Sequence, residues 1–225
     1  MKKLTLFSLV FSLVFASCSS NKDEVIDTTP ENLLQSYTLK RDANGAYSID
    51  FNTTENTDVT TVKNIDNSND IILSETNRKT ARTYSNNYKV EEDQLKIGFL
   101  DANKGNRTQI AIEDEDIKFY KGGVTEFLNS YSITKNEDGT FTLNFTVNNN
   151  VTTEFVYNEE IETYEVHLAT GKSKQKEFSR QLEMNTTNLI KLDFVNHMIM
   201  SSKSSVTSEY IREKPRVIIG GADII

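Results

Sequence analysis

Tyr37 to Phe51 reads YTLKRDANGAYSIDF, and Tyr131 to Phe145 reads YSITKNEDGTFTLNF. The Tyr, the Gly and the Phe are identical, and most other positions are close exchanges, such as Tyr47 with Phe141 and Ile49 with Leu143. Within each stretch apolar and polar residues alternate on both sides of a short polar break. That alternation is the period of a half-buried strand, and Asn44-Gly45 or Asp138-Gly139 supplies the turn, where a positive φ is needed. Phe141, Leu143, Phe145 and Val147 share one face; Thr140, Thr142, Asn144 and Thr146 share the other. One dry face and one wet face indicate an antiparallel sheet.

Two further matches keep the same order. LKIGFLD at Leu95 to Asp101 resembles IKLDFVN at Ile190 to Asn196, and Gly122-Gly123 after IKFYK resembles Gly220-Gly221 after RVII. A repeat sought before any assignment of fold changes the whole reading. Here it predicts an internal duplication, with units at 33–125 and 127–225. Other strand candidates fill each unit: DVTTVKN, DIILSE, RTYSNNYKV, TQIAI and DIKFY in the first; VTTEFVYN, ETYEVHLAT, EFSRQLEM, SVTSEYI and RVII in the second. KSKQKEFSRQLEM contains good helix formers, but its place in the repeat assigns it to a strand. Six or seven short strands per unit predict an all-β protein of two tandem antiparallel β-sandwich-like units. The alternative is one continuous barrel or meander built from both halves.

Upstream of these units the chain is of another kind. Lys2 and Lys3 precede an apolar run from Leu4 to Phe15, then Ala16, Ser17 and Cys18. This is the layout of a secretory signal over residues 1–17, and the run falls short of the roughly 20 apolar residues a membrane-spanning helix needs. Phe15-Ala16-Ser17-Cys18 resembles the lipobox of bacterial lipoproteins, with Phe where Leu is usual. The resemblance implies cleavage before Cys18, acylation of that residue and attachment to a membrane. Several acyl chains anchor stably, each buried CH₂ contributing about 0.8 kcal/mol. Cys18 is the one cysteine in the chain, so the domains have no disulfide.

Lys22, Asp23 and Glu24 follow the cysteine and resemble the surface-export signal of Bacteroidota lipoproteins, which implies display on the outer face of the outer membrane. Asp27-Thr28-Thr29 resembles the short O-glycosylation motif of that phylum, with Thr28 the acceptor. Residues 18–32 read as a flexible lipidated tether closed by Pro30. The formal charge of −8 argues against a nucleic-acid partner.

Catalytic signatures are missing from the sequence. No HExxH, phosphate loop or GxSxG elbow occurs. His167 lies on YEVHLAT with Glu165 on the same outward face, and His197 lies in FVNHMIM near a predicted turn; neither sits in a metal or catalytic motif. Asp101, Asn103 and the acidic run from Glu113 to Asp116 are the loops where calcium would bind if anywhere, but the spacing fails the EF-hand template. No cofactor or metal is expected. The chain reads as a non-catalytic surface binding or adhesion module for a glycan or protein. Alternatives are an accessory subunit of an envelope or nutrient-uptake complex and, with less support, a hydrolase. Tyr84, Tyr88, Tyr157 and Tyr164 are the candidate stacking residues; the competing reading for each is core packing.

Overall fold

The computed structural model describes residues 32–114, 127–201 and 207–221, with backbone alone for 198–201 and 207–210. Fourteen strands make up the described body. The first half holds β1 (Leu34–Arg41), β2 (Tyr47–Thr53), β3 (Thr57–Lys63), β4 (Asn69–Glu75), β5 (Thr83–Tyr88), β6 (Gln94–Asp101) and β7 (Arg107–Glu113). The second holds β8 (Leu128–Lys135), β9 (Phe141–Val147), β10 (Val151–Asn158), β11 (Thr163–Thr170), β12 (Glu177–Leu182), β13 (Ile190–Ser201) and β14 (Thr207–Gly220). The strands form two sheets that do not close into a barrel, ordered β12-β9-β8-β1-β2-β5 and β10-β11-β13-β14-β7-β6-β4-β3. The all-β sandwich expected from the alternation is what forms.

Both orders read the same from either end once β1 is equated with β8, β2 with β9, and so on to β14. The halves are therefore not closed one after the other. Each supplies three strands to the first sheet and four to the second, and they join edge to edge through β1–β8 and β7–β14. The registers are symmetric too. In the first sheet Leu39 pairs with Ile133, its own counterpart, and Tyr37–Lys135 mirrors Arg41–Tyr131. In the second, Ala111 pairs with Ile218, and Val217–Ile112 mirrors Ile219–Ile110. A local two-fold passes through both seams. This corrects one sequence match: the counterpart of RVII is β7, not IKFYK, which lies outside the described residues. The sheets are antiparallel except at β4–β6 and β11–β13, which run parallel because β5 and β12 cross to the other sheet in between.

Turn chemistry repeats with the strands. Gly45 and Gly139 have φ of 77° and 84°, each closing the predicted hairpin turn. Asn56 and Asn150, Asn67 and Glu162, and Asp93 and Asn188 form three more equivalent pairs with positive φ. Asn and Asp tolerate that region by bonding their own backbone. Asp42 Oδ1 accepts from the Asn44 and Ala46 amides, both at 2.8 Å, and holds the first hairpin.

One buried apolar cluster draws on both halves and both sheets. Its rings repeat as well. Tyr37 stacks on Phe99 at 5.4 Å and Tyr131 tilts against Phe194 at 5.0 Å. Tyr37 meets Phe141 edge-on at 6.5 Å, and Tyr131 meets Tyr47 the same way at 6.2 Å. These last two contacts cross between the halves. Offset and edge-to-face geometry contributes roughly 0.5–1.5 kcal/mol per pair beyond burial.

The two-fold breaks in one place inside. Buried Asp114, just after β7, accepts from Arg41 Nε at 2.8 Å, from the Tyr47 hydroxyl at 2.9 Å and from Arg212 at 3.2 Å. The Tyr131 hydroxyl donates to Tyr47 at 3.2 Å. This network ties β1, β2, β8 and β14 to one carboxylate. At the symmetric position the Tyr37 hydroxyl is buried with no hydrogen-bond partner among the described residues. A buried polar group without a partner costs about 1–3 kcal/mol. Tyr37→Phe is therefore expected to leave the urea midpoint unchanged or raise it. Tyr47→Phe removes a donor from a buried carboxylate and is expected to cost about 1–3 kcal/mol. Equal destabilisation by both would contradict this assignment.

Burial pushes the phenols of Tyr37, Tyr47 and Tyr131 up from their ordinary value. A raised folded value means a stability contribution that is complete below the unfolded value of about 10 and is lost as pH rises above it. The urea midpoint should hold up to about pH 10 and then fall, and Tyr37→Phe should make that fall shallower. A midpoint flat to pH 12 would show that these rings are not excluded from water.

Candidate functional site

Of the residues singled out in the sequence, Cys18, Lys22, Asp23, Glu24 and Thr28 lie outside the described residues. The four tyrosines separate into two kinds. Tyr84 and Tyr88 alternate inward on β5 and pack against the core. Tyr84 stacks on Phe51 at 5.1 Å and its hydroxyl donates to the Ala81 carbonyl at 2.9 Å. Burial raises the Tyr88 phenol. Neither offers a free ring, because β5 is a sheet edge whose inner face still covers the sandwich. As binding candidates they are corrected to partly buried rings packed against the core.

Tyr164 also packs against the core, with Phe155 beside it, and of the four only Tyr157 is an exposed ring. Tyr157 and Tyr164 pair across β10 and β11 at the margin of the eight-stranded sheet. Tyr164 lies between Phe155, stacked at 5.5 Å, and Tyr157, tilted at 4.8 Å. The Glu183 amide donates to the Tyr164 hydroxyl at 3.0 Å. Arg180, on β12 of the other sheet, lies 5.9 Å from the Phe155 ring centre, within cation–π range. Tyr157 ends the stack and is 39% exposed. Desolvation, Glu162, Tyr164 and Glu159 raise its phenol. In the first half the two-fold puts Thr61, Asn69, Lys63 and Asn86 at the places of Phe155, Tyr164, Tyr157 and Arg180. There Lys63 makes an exposed ion pair with Glu91 at 2.8 Å. The aromatic stack belongs to the second half alone.

The outward faces also differ between halves. In the first, Asn64 Nδ2 donates to Asp70 at 2.9 Å, and Asp70 accepts from Arg107 at 2.6 Å. Gly98 makes room for this pair: a Cβ there would sit 2.6 Å from Asp70 Oδ1. In the second half, Asn158 donates to the equivalent carboxylate, Glu165, at 3.0 Å. Glu165 Oε2 then lies 2.8 Å from His167 Nε2, and His167 Nδ1 lies 3.1 Å from His197 Nε2, the two rings stacked at 5.4 Å. The residue in the place of Gly98 is Asp193, which grips Arg216 through two bonds of 2.8 Å and holds that guanidinium above its ordinary value. The sequence placed His167 beside Glu165 correctly but gave no sign that His197 joins them. That meeting depends on the parallel β11–β13 pairing, which sets Ala169 opposite His197.

Outside the six-stranded sheet the face is polar throughout. One row runs Asn87, Ser48, Lys40, Ser132, Asn144, Ser179 across all six strands. It floors a shallow groove of about 620 Å³. The next row runs Ser85, Asp50, Thr38, Thr134, Thr142, Gln181. Ser85 donates to Asp50 at 2.6 Å, and Thr38 meets Thr134 at 3.1 Å across the seam. The Lys40 and Ser85 bonds lower the Asp50 carboxyl. These rows share their hydrogen bonds among themselves and carry no ring for stacking.

Asp101 Oδ1 accepts from the Asn103 and Lys104 amides at 3.0 Å, so it shapes its own turn. Asp114 is committed to two arginines and Tyr47. The acidic loops considered for calcium are thus not drawn together where they are described. In comparisons with known proteins, no family model matches the chain, and no curated protein or solved structure is significantly similar to it.

Proposed function

We propose that the chain is a lipid-anchored outer-membrane lipoprotein, displayed on the cell exterior, that works as a non-catalytic binding module. The anchoring part rests on the lipobox-like Phe15 to Cys18 and on Lys22, Asp23 and Glu24. The binding part rests on one observation: the Phe155–Tyr164–Tyr157 stack, open at Tyr157, where the equivalent half carries Thr61, Asn69 and Lys63. Phe155 and Tyr164 pack against the core, but the stack they start ends in the exposed ring of Tyr157, which the first half does not have. Planar rings beside carboxylates suit the apolar face and hydroxyls of a sugar, and the ligand reading favoured here is a glycan.

A second reading has its own support. Ile161, in the β10–β11 turn, is 48% exposed, and Met184, next to the Glu183 amide that holds Tyr164, is 45% exposed. Exposed apolar side chains at that end favour a protein partner, as an accessory subunit of an envelope or uptake complex would have.

The two parts are tested separately. Protease shaving of intact cells should remove the wild-type domain; protection until the outer membrane is opened would overturn surface display. On a glycan array, Tyr157→Ala should lose at least tenfold in signal with an unchanged urea midpoint. Undiminished binding by that variant would remove the stack from the site. Capture of a defined envelope protein, again sensitive to Tyr157→Ala, would decide for the second reading.

A further inference from the structure

The two histidines of the described body meet on the outer face of the eight-stranded sheet, and this pairing has no equivalent in the first half. The place of His167 is taken there by Ile72 and that of His197 by Ala102, in the turn just after β6 ends at Asp101. Two separate changes, a substitution on β11 and a lengthening of the β13–β14 hairpin, converge on one spot. They also line an open groove of about 630 Å³ with Thr152, Glu154 and Val156.

The hydrogen bonds determine which nitrogens face each other. Glu165 is a carboxylate held by Asn158, so His167 Nε2 carries the proton and donates to it. That leaves the Nδ1 lone pair directed at His197 Nε2. A metal-bound histidine is commonly arranged this way, its second ring N–H given to a carboxylate that fixes the tautomer and raises the basicity of the ligating nitrogen. The spacing also agrees. Two nitrogens bound to one tetrahedral zinc at about 2.05 Å would stand about 3.3 Å apart; here they are 3.1 Å apart.

We propose that His167 Nδ1 and His197 Nε2 form a two-nitrogen site for a borderline divalent transition metal, zinc, nickel or copper. Among the described residues no three His, Cys, Asp or Glu side chains are grouped to hold a metal. The site is thus incomplete from protein alone. Its remaining positions open into the groove, to water. Imidazole nitrogen suits these ions and not calcium or magnesium, which take all-oxygen shells. Glu165 is a positioning residue that acts through His167. This inference does not depend on the aromatic stack or on the identity of its ligand.

The test uses the full untagged chain with Cys18→Ser, which removes the thiol as a competing ligand. Zinc is titrated by calorimetry and the histidine ring nitrogens are followed by 15N NMR. The expected result is one zinc per chain at micromolar Kd. His167 Nδ1 and His197 Nε2 should shift to ligated positions while His167 Nε2 stays protonated. His167→Gln and His197→Gln should each weaken binding at least tenfold. Glu165→Gln should weaken it about 10–100-fold and loosen the tautomer seen at His167. No heat and unmoved ring nitrogens at millimolar zinc would show that the pair is only an imidazole hydrogen bond and overturn the proposal. So would zinc affinity retained in the double histidine variant, a result the ring-nitrogen spectrum of the unaltered site checks independently of whether the variants fold.

Discussion

A half of this protein has two strands it cannot leave bare. β1 and β7 each end a sheet within their own half, and their inward residues, Leu39, Ile110 and Ile112, are fully buried. An unpaired edge with such a face is an invitation to aggregation. The second half closes both edges at once, because its own bare strands are β8 and β14. One operation, a local two-fold, satisfies four edges. Three of the four strands left outermost are more polar: β3 ends in four exposed positions, β5 alternates exposed with partly covered ones, and four of the six residues of β12 are exposed. From this constraint follow the shared core, the crossing contacts of Tyr37 with Phe141 and of Tyr131 with Tyr47, and the seam that Asp114 locks with Arg41 and Arg212.

Much of the local structure was legible because it is local. Strict alternation in TFTLNFTV determines which residues face inward. Positive φ at Gly45 and Gly139 follows from a tight turn between two such runs. EFSRQLEM, with helix-forming residues, became a strand because β9 offered it a ladder, and the repeat had already said so. What alternation does not contain is the neighbour of each strand. Nothing in the sequence of β1 says that β8 will pair with it and not β9 alone. For the same reason RVII was matched to the wrong segment: Gly-Gly is a weak marker, whereas pairing with β7 follows from the two-fold. Alternation put Tyr84 and Tyr157 on comparable strands, but only their places in the sheets separate a covered ring from an exposed one. The His167–His197 meeting is the extreme case, thirty residues apart and joined by a parallel pair.

Duplication makes the surface informative. Equivalent core positions keep their ring contacts in the same geometry, so they report what the fold requires. Equivalent surface positions that differ report what each half has been free to become. By that comparison the second half carries the distinctive chemistry: a ring stack ending at Tyr157 on one side of β10–β11 and a histidine pair on the other. The first half carries ion pairs, Lys63 with Glu91 and Asp70 with Arg107, at the matching places. The Lys63–Glu91 pair is about half exposed, and such pairs stabilise by roughly 0–1 kcal/mol, so little stability is at stake in that exchange.

The central claim is that two repeats make one cooperative body. It is tested most directly by urea unfolding with one probe in each half, using the equivalent edge positions: Tyr84→Trp in the first and Phe178→Trp in the second, in a chain with no other tryptophan. A shared core and two shared seams predict coincident transitions, the same midpoint from both probes and from backbone circular dichroism. Two separated midpoints, with one half retaining its structure while the other unfolds, would contradict the account and return the protein to two independent sandwiches.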